Sequence, residues 1–266
     1  MIPAMPDNTT NQNPWDRLVA EFDAWSAEGR IASLWWRDDD ASAPGPKLDR
    51  LFEVTANTSL LLCVIPACTQ QALEAVVSAV SHVSVGQHGY AHINHAPRGR
   101  GDGAWELGLH RGESAVLTDL DNGRHRLKEL FGERFLSIVV PPWNHIDPAL
   151  VDPIRERGYR GLSLFGPREL TQPTQKFVIA NAHCDPINWK TGPRFTGEAK
   201  ALEQLIAHLQ ARRNDAAAAE KHTGFLTHHI DLDDAGWAFC SRIAELVSDH
   251  PAARWCNALE VFEVMR

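Results

Sequence analysis

The sequence predicts a single α/β domain in which parallel strands alternate with helices and close into a barrel. Short apolar segments and segments of helical periodicity alternate about seven or eight times along the chain. Such alternation is typical of parallel sheets joined by right-handed crossovers. No internal repeat and no obvious domain boundary interrupts it, which favours a closed barrel over an open sheet. Candidate functional side chains also follow several predicted strands, whose carboxyl ends meet at one rim.

Three strands are predicted in the first half of the chain. Residues 1–14 form a flexible polar leader, and a helix that ends at Gly29 follows it. The apolar face of this helix comprises Trp15, Leu18, Val19, Phe22 and Trp25. The three strands are the apolar segments 31–36, 59–65 and 83–85. Helices with apolar residues within 48–52 and 72–80 connect them, and the barrel domain is expected to span residues 15–266.

The second half of the chain continues the same pattern. Residues 96–103 are rich in proline, glycine and arginine, so we expect a mobile surface loop just after the third strand. Further strands are predicted at 135–140, 161–164, 177–182 and 224–227. Further helices are predicted from apolar faces within 117–131, 149–157, 202–209 and 237–247. Residues 214–220 are predicted to be a surface linker.

Composition excludes several classes of function. The formal net charge is −8, with 26 basic and 34 acidic residues, and no cluster of lysine or arginine overrides this average. We therefore expect a small-molecule or carbohydrate substrate, and neither a nucleic acid nor a membrane as partner. The first residues lack a secretory signal and no run of about 18 apolar residues follows, which predicts a cytoplasmic protein. Five cysteines without a C-x-x-C pair argue against a disulfide framework.

Two histidines four residues apart indicate a metal centre. His88 and His92 follow the third strand, and this spacing beside a glycine can turn both imidazoles toward one cation. An acidic triplet, Asp38-Asp39-Asp40, follows the first strand and could add a carboxylate ligand. Such a set suits zinc, with cobalt, nickel, iron and manganese as alternatives, and leaves positions open for water and substrate. The competing interpretation is structural, with capping acids, hydrogen-bonded histidines and no metal.

These residue types suit the hydrolysis of an amide or an ester. A second carboxylate beside the liganding one could take a proton from the attacking water, and a distant histidine could protonate the leaving group. Candidates for that histidine are His228 and His229, which follow the last clear strand. The metal would polarise the carbonyl and stabilise the oxyanion.

A rigid corner and a tryptophan near the same rim are candidates for substrate binding. The two prolines of Pro141-Pro142-Trp143-Asn144 cannot continue a sheet ladder, so Trp143 and Asn144 should project from the corner. The ring of Trp143 or Trp189 could stack on a sugar. The structural alternative is a turn with a packed tryptophan.

These motifs, in this order, resemble those of the polysaccharide deacetylase family, also called NodB-like. The matching elements are Asp39-Asp40, His88-Gly-Tyr-Ala-His92, Pro141-Pro142-Trp143 and Leu226-Thr227-His228. They cover most of the chain from Ile31 to His229. The resemblance implies a distorted (β/α) barrel, usually with seven strands, and metal-dependent removal of an N- or O-acetyl group from a sugar.

The resemblance also assigns a role to each site residue by position. The roles are a general base at Asp39, metal ligands at Asp40, His88 and His92, and a general acid at His228. Because the triplet allows slippage by one residue, Asp38 as base with Asp39 as ligand is the alternative. His229 becomes the acid if the strand register differs by one.

Two departures from the family pattern bear on the activity. Val140 stands where the family usually has an arginine that orients the base, and Asn188 stands where it has the acid that would tune His228. We hypothesise that Arg37 or His183 fills in and that the substrate need not be a polysaccharide. The alternatives are an allantoinase-like amidohydrolase that acts on a non-sugar C–N bond, and a non-catalytic barrel that only binds a ligand.

Overall fold

Eight α-helices and nine strands make up the part of the chain that the computed structural model describes, residues 13–97, 103–167, 170, 177–215 and 221–264. The helices are α1 (Pro14–Ala27), α2 (Pro46–Val54), α3 (Ala72–Ser78), α4 (Glu113–Phe131), α5 (Val151–Glu156), α6 (Glu198–Arg213), α7 (Asp234–Asp249) and α8 (Ala258–Val261). The strands are β1 (Ala32–Ala41), β2 (Leu60–Val64), β3 (Val83–His88), β4 (Phe135–Val140), β5 (Gly161–Leu162), β6 (Val178–Ile179), β7 (Ala182–Cys184), β8 (Thr223–Thr227) and β9 (Ala253–Trp255). Most of the predicted leader, loop and linker, namely residues 1–12, 98–102 and 216–220, lies outside the described residues.

All strands pair in parallel within one sheet. Their order is β6-β5-β4-β3-β2-β1-β8-β7, and β9 pairs with the start of β1. The segment 178–184 touches both edges of this sheet, because β6 pairs with β5 whereas β7 pairs with β8. At the junction, Ala182 N donates to Leu164 O at 2.9 Å. The sheet therefore curls into a half-barrel surrounded by helices, which confirms the predicted parallel α/β barrel.

Successive residues of β1 face opposite sides of the sheet. Trp36 belongs to the core between the sheet and the helices, together with Trp15 of α1 and Leu205 of α6. Trp35 belongs to the core inside the barrel, where the ring of Phe262 meets it edge-on with centroids 5.5 Å apart. The strand thus separates two cores, and the alternation continues through Asp39 until a register shift between Asp38 and Ala41 interrupts it at Asp40.

β1 extends further than predicted, because it continues through the acidic triplet to Ala41. Asp38 pairs in register with Leu62 of β2 and Thr227 of β8. Consecutive carboxylates are unfavourable in a central strand unless each has a partner, since burying an unpaired charge is costly. The partners of Asp38 and Asp40 come from distant segments, which local sequence does not reveal, whereas Asp39 pairs with Arg37 of the same strand. The three-residue strand β9 was not predicted either, because so short a segment carries no periodic pattern.

The cysteines are all free, as expected for a chain without a disulfide framework. Cys68 is exposed and the other four are buried. Cys184, a neighbour in sequence of His183, belongs to the core between the sheet and the helices. Among the described helices, none combines the length and the apolar character needed to cross a bilayer.

Candidate active site

The three consecutive aspartates of β1 have different partners. Asp38 faces the helical side, where its Oδ2 accepts hydrogen bonds from Thr227 Oγ1 at 2.6 Å and from His229 N at 3.0 Å. Its Oδ1 lies 2.5 Å from His229 Nδ1. Burial lowers the pKa of His229, but the Asp38 carboxylate outweighs this effect and raises it. Asp38 and His229 therefore link β1 to β8, and neither is among the residues that line the cavity described below.

Asp40 meets both histidines of the predicted pair. Its Oδ1 lies 3.0 Å from His88 Nε2 and 3.3 Å from His92 Nε2. Burial opposes ionisation of Asp40, yet the His88 imidazole holds the pKa of its carboxyl well below the usual range. Burial lowers the pKa of His92, whereas the carboxylates of Asp39 and Asp40 raise that of His88 against the effect of burial. The three predicted ligands are thus brought together.

The arrangement of Asp40, His88 and His92 fits a divalent transition metal. Among the described residues they form the one group of metal-ligating side chains whose ligand atoms all lie within 4.8 Å of one another. Ligands held about 2.0–2.2 Å from a tetrahedral ion are roughly 3.4 Å apart. The observed contacts of 3.0 and 3.3 Å approach that spacing. Two imidazole nitrogens and one carboxylate oxygen also form a donor set that zinc accepts.

Arg37 binds Asp39 and ties two other segments to it. Its side chain is fully buried on the inner side of β1, with Nε 3.1 Å from Asp39 Oδ1. Nη1 donates to Ser163 Oγ at 2.6 Å, and Nη2 donates to Asn144 Oδ1 at 2.6 Å. The geometry therefore supports the hypothesis that Arg37 fills in for the arginine that Val140 replaces. Ser163 was not predicted, because a single serine after a short strand carries no signal.

His228 lies in the cavity beside Trp189, whose ring meets the imidazole nearly at a right angle with centroids 4.7 Å apart. Burial raises the pKa of Asp185, and the nearby His228 imidazole partly offsets that effect. Asp185 Oδ2 accepts a hydrogen bond from Trp189 Nε1 at 2.7 Å. Asn188 turns its Oδ1 toward Lys190 N at 3.1 Å. Asp185 is therefore the candidate to replace the charge expected at position 188, although among the described residues His228 Nδ1 has no hydrogen-bond partner.

His183, the other residue considered as a replacement, makes its contacts elsewhere. Its Nδ1 accepts a hydrogen bond from Gly224 N at 3.1 Å. Its ring stacks on that of His208 of α6, with centroids 3.3 Å apart. His183 is not among the residues that line the cavity.

The candidate residues surround a cavity of about 880 Å³ at the carboxyl ends of the strands. The predicted site residues that line it are Asp39, Asp40, His88, His92, Trp143, Asn144, Trp189 and His228. Pro142 is buried and is not among the residues that line the cavity. Lining residues that were not predicted include Trp105, Phe165, Lys190, Lys200 and Gln204. They come from separate segments, so no motif marks them.

Strained backbone is concentrated around this cavity. Asp40, His92, Trp143 and Asn144 have φ values of 70°, 56°, 54° and 57°, in the left-handed region that non-glycine residues rarely adopt. They are four of the six such residues in the described part of the chain. The rings of His92 and Trp143 also contact each other, with centroids 4.4 Å apart. Strain of this kind persists only where the surroundings hold it, and it clusters at functional sites.

The fold, rather than the sequence, relates this chain to known proteins. No family model matches the sequence, and no curated protein matches it. A structure from Mycobacterium smegmatis, described as a polysaccharide deacetylase, is similar with a TM-score of 0.65 and 15% identity, over 88% of this chain and 90% of that chain. The catalytic domain of a peptidoglycan N-acetylglucosamine deacetylase from Eubacterium rectale is similar with a TM-score of 0.55 and 14% identity, over 85% of this chain and 88% of that chain.

A CE4 family pseudoenzyme from Bacillus anthracis has a similar fold as well. Its TM-score is 0.53 at 9% identity, over 88% of this chain and 66% of that chain. At identities this low, the similarity establishes the fold alone. The fold that the resemblance implied is therefore confirmed, and it occurs both in deacetylases and in a pseudoenzyme.

Proposed function

We propose that this protein is a metal-dependent hydrolase that removes an acetyl group, bound as an amide or an ester, from a carbohydrate or another small acetylated substrate. One observation carries the proposal: His88 Nε2 and His92 Nε2 approach a single oxygen of Asp40 at 3.0 and 3.3 Å, in a cavity that also holds Asp39 and His228. The similar folds described as deacetylases support the same class of reaction.

Asp40, His88 and His92 are the proposed ligands of the cation, which is zinc or another divalent metal such as cobalt, nickel, iron or manganese. When bound, the cation would polarise the scissile carbonyl and stabilise the negative charge that develops on its oxygen. The side chain of His88 is 2% exposed, whereas those of Asp40 and His92 are 18% and 27% exposed. The ligands are therefore held by the protein on one side and reachable by substrate on the other.

Asp39 is the proposed general base and His228 the proposed general acid. Asp39 takes a proton from the attacking water, whose oxygen forms the new bond to the carbonyl carbon. As the bond from that carbon to the leaving nitrogen or oxygen breaks, protonated His228 gives the leaving atom a proton. The products are acetate and a free amine or alcohol, and exchange with solvent restores both side chains.

Two further residues support the base and the acid. Arg37 fixes the Asp39 carboxylate through the 3.1 Å contact of its Nε, and Asp185 holds the Trp189 ring against His228 through the bond from Trp189 Nε1. The contact of Arg37 favours an enzyme over a non-catalytic barrel, because Arg37 supplies the positive charge absent from position 140.

Trp143, Asn144 and Trp189 are the proposed substrate contacts. Trp189 is 46% exposed, so one face of its ring is available for stacking on a sugar. Asn144 uses its Oδ1 to bind Arg37, which leaves its amide nitrogen for a substrate oxygen. The cavity of about 880 Å³ is large for the ligand pockets of proteins and suits one or two sugar rings better than a free acetamide.

The test begins with elemental analysis of protein purified without a histidine tag. We expect about one zinc or related metal per chain. With zinc present, the protein should hydrolyse members of a panel of N-acetyl sugars or a generic acetyl ester. The Asp39→Asn variant should retain the metal and lose hydrolysis. A protein that contains no metal and takes none up would rule the proposal out.

The same assays separate the alternatives. Hydrolysis of cyclic ureides without hydrolysis of acetylated sugars would assign the allantoinase-like reaction on a non-sugar C–N bond. Stoichiometric metal with no hydrolysis of either class would assign the ligand-binding barrel, for which the fold of the pseudoenzyme is a precedent.

The proposal also includes one catalytic NodB-like domain that spans residues 15–266 and a cytoplasmic location. Limited proteolysis tests the first point, since a single domain should leave one resistant fragment. Immunoblotting of cell fractions tests the second.

A further inference from the structure

We infer that Glu106 is a positioning residue that holds the backbone of residues 88–93, here called the histidine loop, and thereby sets the metal affinity of the Asp40–His88–His92 centre. This inference rests on the proposed function, because it concerns the same cation. Glu106 lies outside every motif of the sequence and is assigned by its contacts alone.

Glu106 is a buried carboxylate whose partners are backbone amides. It is 1% exposed. Its Oε2 accepts a hydrogen bond from Tyr90 N at 3.0 Å, and its Oε1 accepts from Ala91 N at 2.7 Å and from Ile93 N at 3.4 Å. No lysine or arginine within the described ranges forms a salt bridge with it. The loop therefore supplies the groups that compensate the burial of this charge.

Gly89 permits the close approach of Glu106 to the loop. Its φ is +52°, and a Cβ at this position would lie 2.0 Å from Glu106 Oε2. From the other side, Gln87 Nε2 donates to Gly89 O at 2.9 Å. Gly89 N donates to Val140 O at 3.0 Å. The start of the histidine loop is thus fixed through both its amides and its carbonyl groups.

The segment that carries Glu106 is itself anchored on both sides. His95 N donates to Trp105 O at 2.8 Å, and Asp147 N donates to Leu107 O at 2.9 Å. Leu107 is fully buried and forms a parallel bridge with Ile146. Glu106 therefore lies in a segment whose backbone is itself held by hydrogen bonds on both sides.

The consequence concerns His92. This residue has a φ of 56° and lies between two amides, those of Ala91 and Ile93, that Glu106 binds. A strained conformation relaxes when the contacts that hold it are removed. Relaxation would move His92 Nε2 away from Asp40 Oδ1, which lies 3.3 Å away, and would leave two ligands in place of three.

Glu106→Gln is the informative substitution, because both carboxylate oxygens act as acceptors. The amide keeps the shape of the side chain but turns an NH₂ group toward a backbone N–H, so that a donor faces a donor. We expect the zinc dissociation constant of the metal-stripped variant, measured by titration calorimetry, to rise by about 10- to 100-fold. Its near-ultraviolet circular dichroism should remain that of the wild type.

Asp233→Asn is the matched control. Asp233 also accepts two backbone hydrogen bonds, from Gly236 N at 2.8 Å and Phe195 N at 3.0 Å, at the start of α7. The Asp233→Asn variant should be less stable than the wild type, but its zinc affinity should stay within about twofold. Zinc affinity depends on the hydrogen bonds that position the metal ligands, and those of Asp233 do not.

Equal zinc affinity of Glu106→Gln and wild type would overturn this inference and leave the proposed function standing. A wild-type protein that takes up no zinc would overturn both. If the variant does not fold, amide hydrogen exchange of the metal-free wild type decides. Protection of Tyr90 and Ala91 by at least about 100-fold over an unfolded chain supports the inference, and exchange at the unfolded rate overturns it.

Discussion

Arg37 and Asp39 lie two residues apart on β1, and their side chains form an ion pair inside the barrel with Nε 3.1 Å from Oδ1. Residues at this spacing on a strand face the same side. One strand therefore supplies both the proposed base, Asp39, and the guanidinium group of Arg37 that orients it. Val140, at the position that the resemblance reserves for an arginine, packs with Ile138 in the inner core. A charge absent from β4 is thus provided from β1.

Arg37→Met should destabilise the protein and reduce its activity. The substitution leaves the Asp39 carboxylate buried without its partner, which costs about 3–5 kcal/mol of unfolding free energy. Denaturant unfolding measures this loss. Arg50→Met is the control, because Arg50 forms an ion pair with Asp234 at 3.0 Å in which both side chains are exposed, and such pairs contribute less than about 1 kcal/mol. Equal losses in the two variants would contradict a special role for Arg37.

The three aspartates should behave differently when each is replaced by asparagine. Asp40→Asn should lose the metal, because Asp40 is the proposed ligand. Asp39→Asn should retain the metal and lose about 10²- to 10⁴-fold in kcat. Asp38→Asn should retain both metal and activity but lose about 1–3 kcal/mol of stability, since it weakens the bonds to Thr227 and His229. Loss of metal from Asp38→Asn would contradict these assignments.

The role of His228 is tested by changing the leaving group. His228→Ala should reduce hydrolysis of an N-acetyl amine by about 10²- to 10⁴-fold, because an amine leaves poorly without a proton. With 4-nitrophenyl acetate, whose leaving group needs no proton, the loss should be much smaller. Comparable losses on both substrates would mean that His228 acts in some other way.

Positions 185 and 188 should differ in their effect on activity. Asn188→Asp should change kcat by less than about twofold, because this side chain binds the amide of Lys190 and not His228. Asp185→Asn should lower kcat, since it removes the carboxylate beside His228 and weakens the bond that holds Trp189. A gain of activity on chitin oligomers in Asn188→Asp would argue against Asp185 as the replacement.

The pH dependence of stability contains a contribution from His222 at the far end of the barrel. Burial, aided by Arg212, lowers the pKa of His222 to about 4. Because the unfolded chain binds this proton near the usual pKa of about 6.5, the contribution is fully present above that pH. It is lost as the pH falls from about 6.5 toward 4. Allowing for the partial exposure of the ring, we expect a loss of about 1 kcal/mol between pH 7 and pH 5.

His222→Gln should remove this loss. Unfolding free energies of the variant and the wild type, measured at pH 7 and pH 5, give the contribution of His222 as the difference between the two changes. A variant whose acid-induced loss equals that of the wild type would show that other groups account for all of it.

Local patterns in the chain were sufficient for the architecture and for the histidine pair, whereas Asp40 was assigned as a ligand by the family resemblance. Alternating strands and helices followed from apolar periodicity, and β4 has the predicted bounds of Phe135–Val140. His88 and His92 are only four residues apart, so a single turn after β3 can bring their side chains together. These properties depend on residues that are close together in sequence.

The partners of the charged side chains depended instead on how the sheet closes. Pairing of β1 with β8 directs Asp38 to His229, 191 residues away, and leaves Asp40 for the histidines. Curling of the sheet likewise brings Ser163 to Arg37 across 126 residues. The role of Glu106 has the same origin, because its contacts depend on a strained loop conformation. Contacts of this kind are set by three-dimensional packing and by the need to compensate buried charge, and neither leaves a periodic signal in the chain.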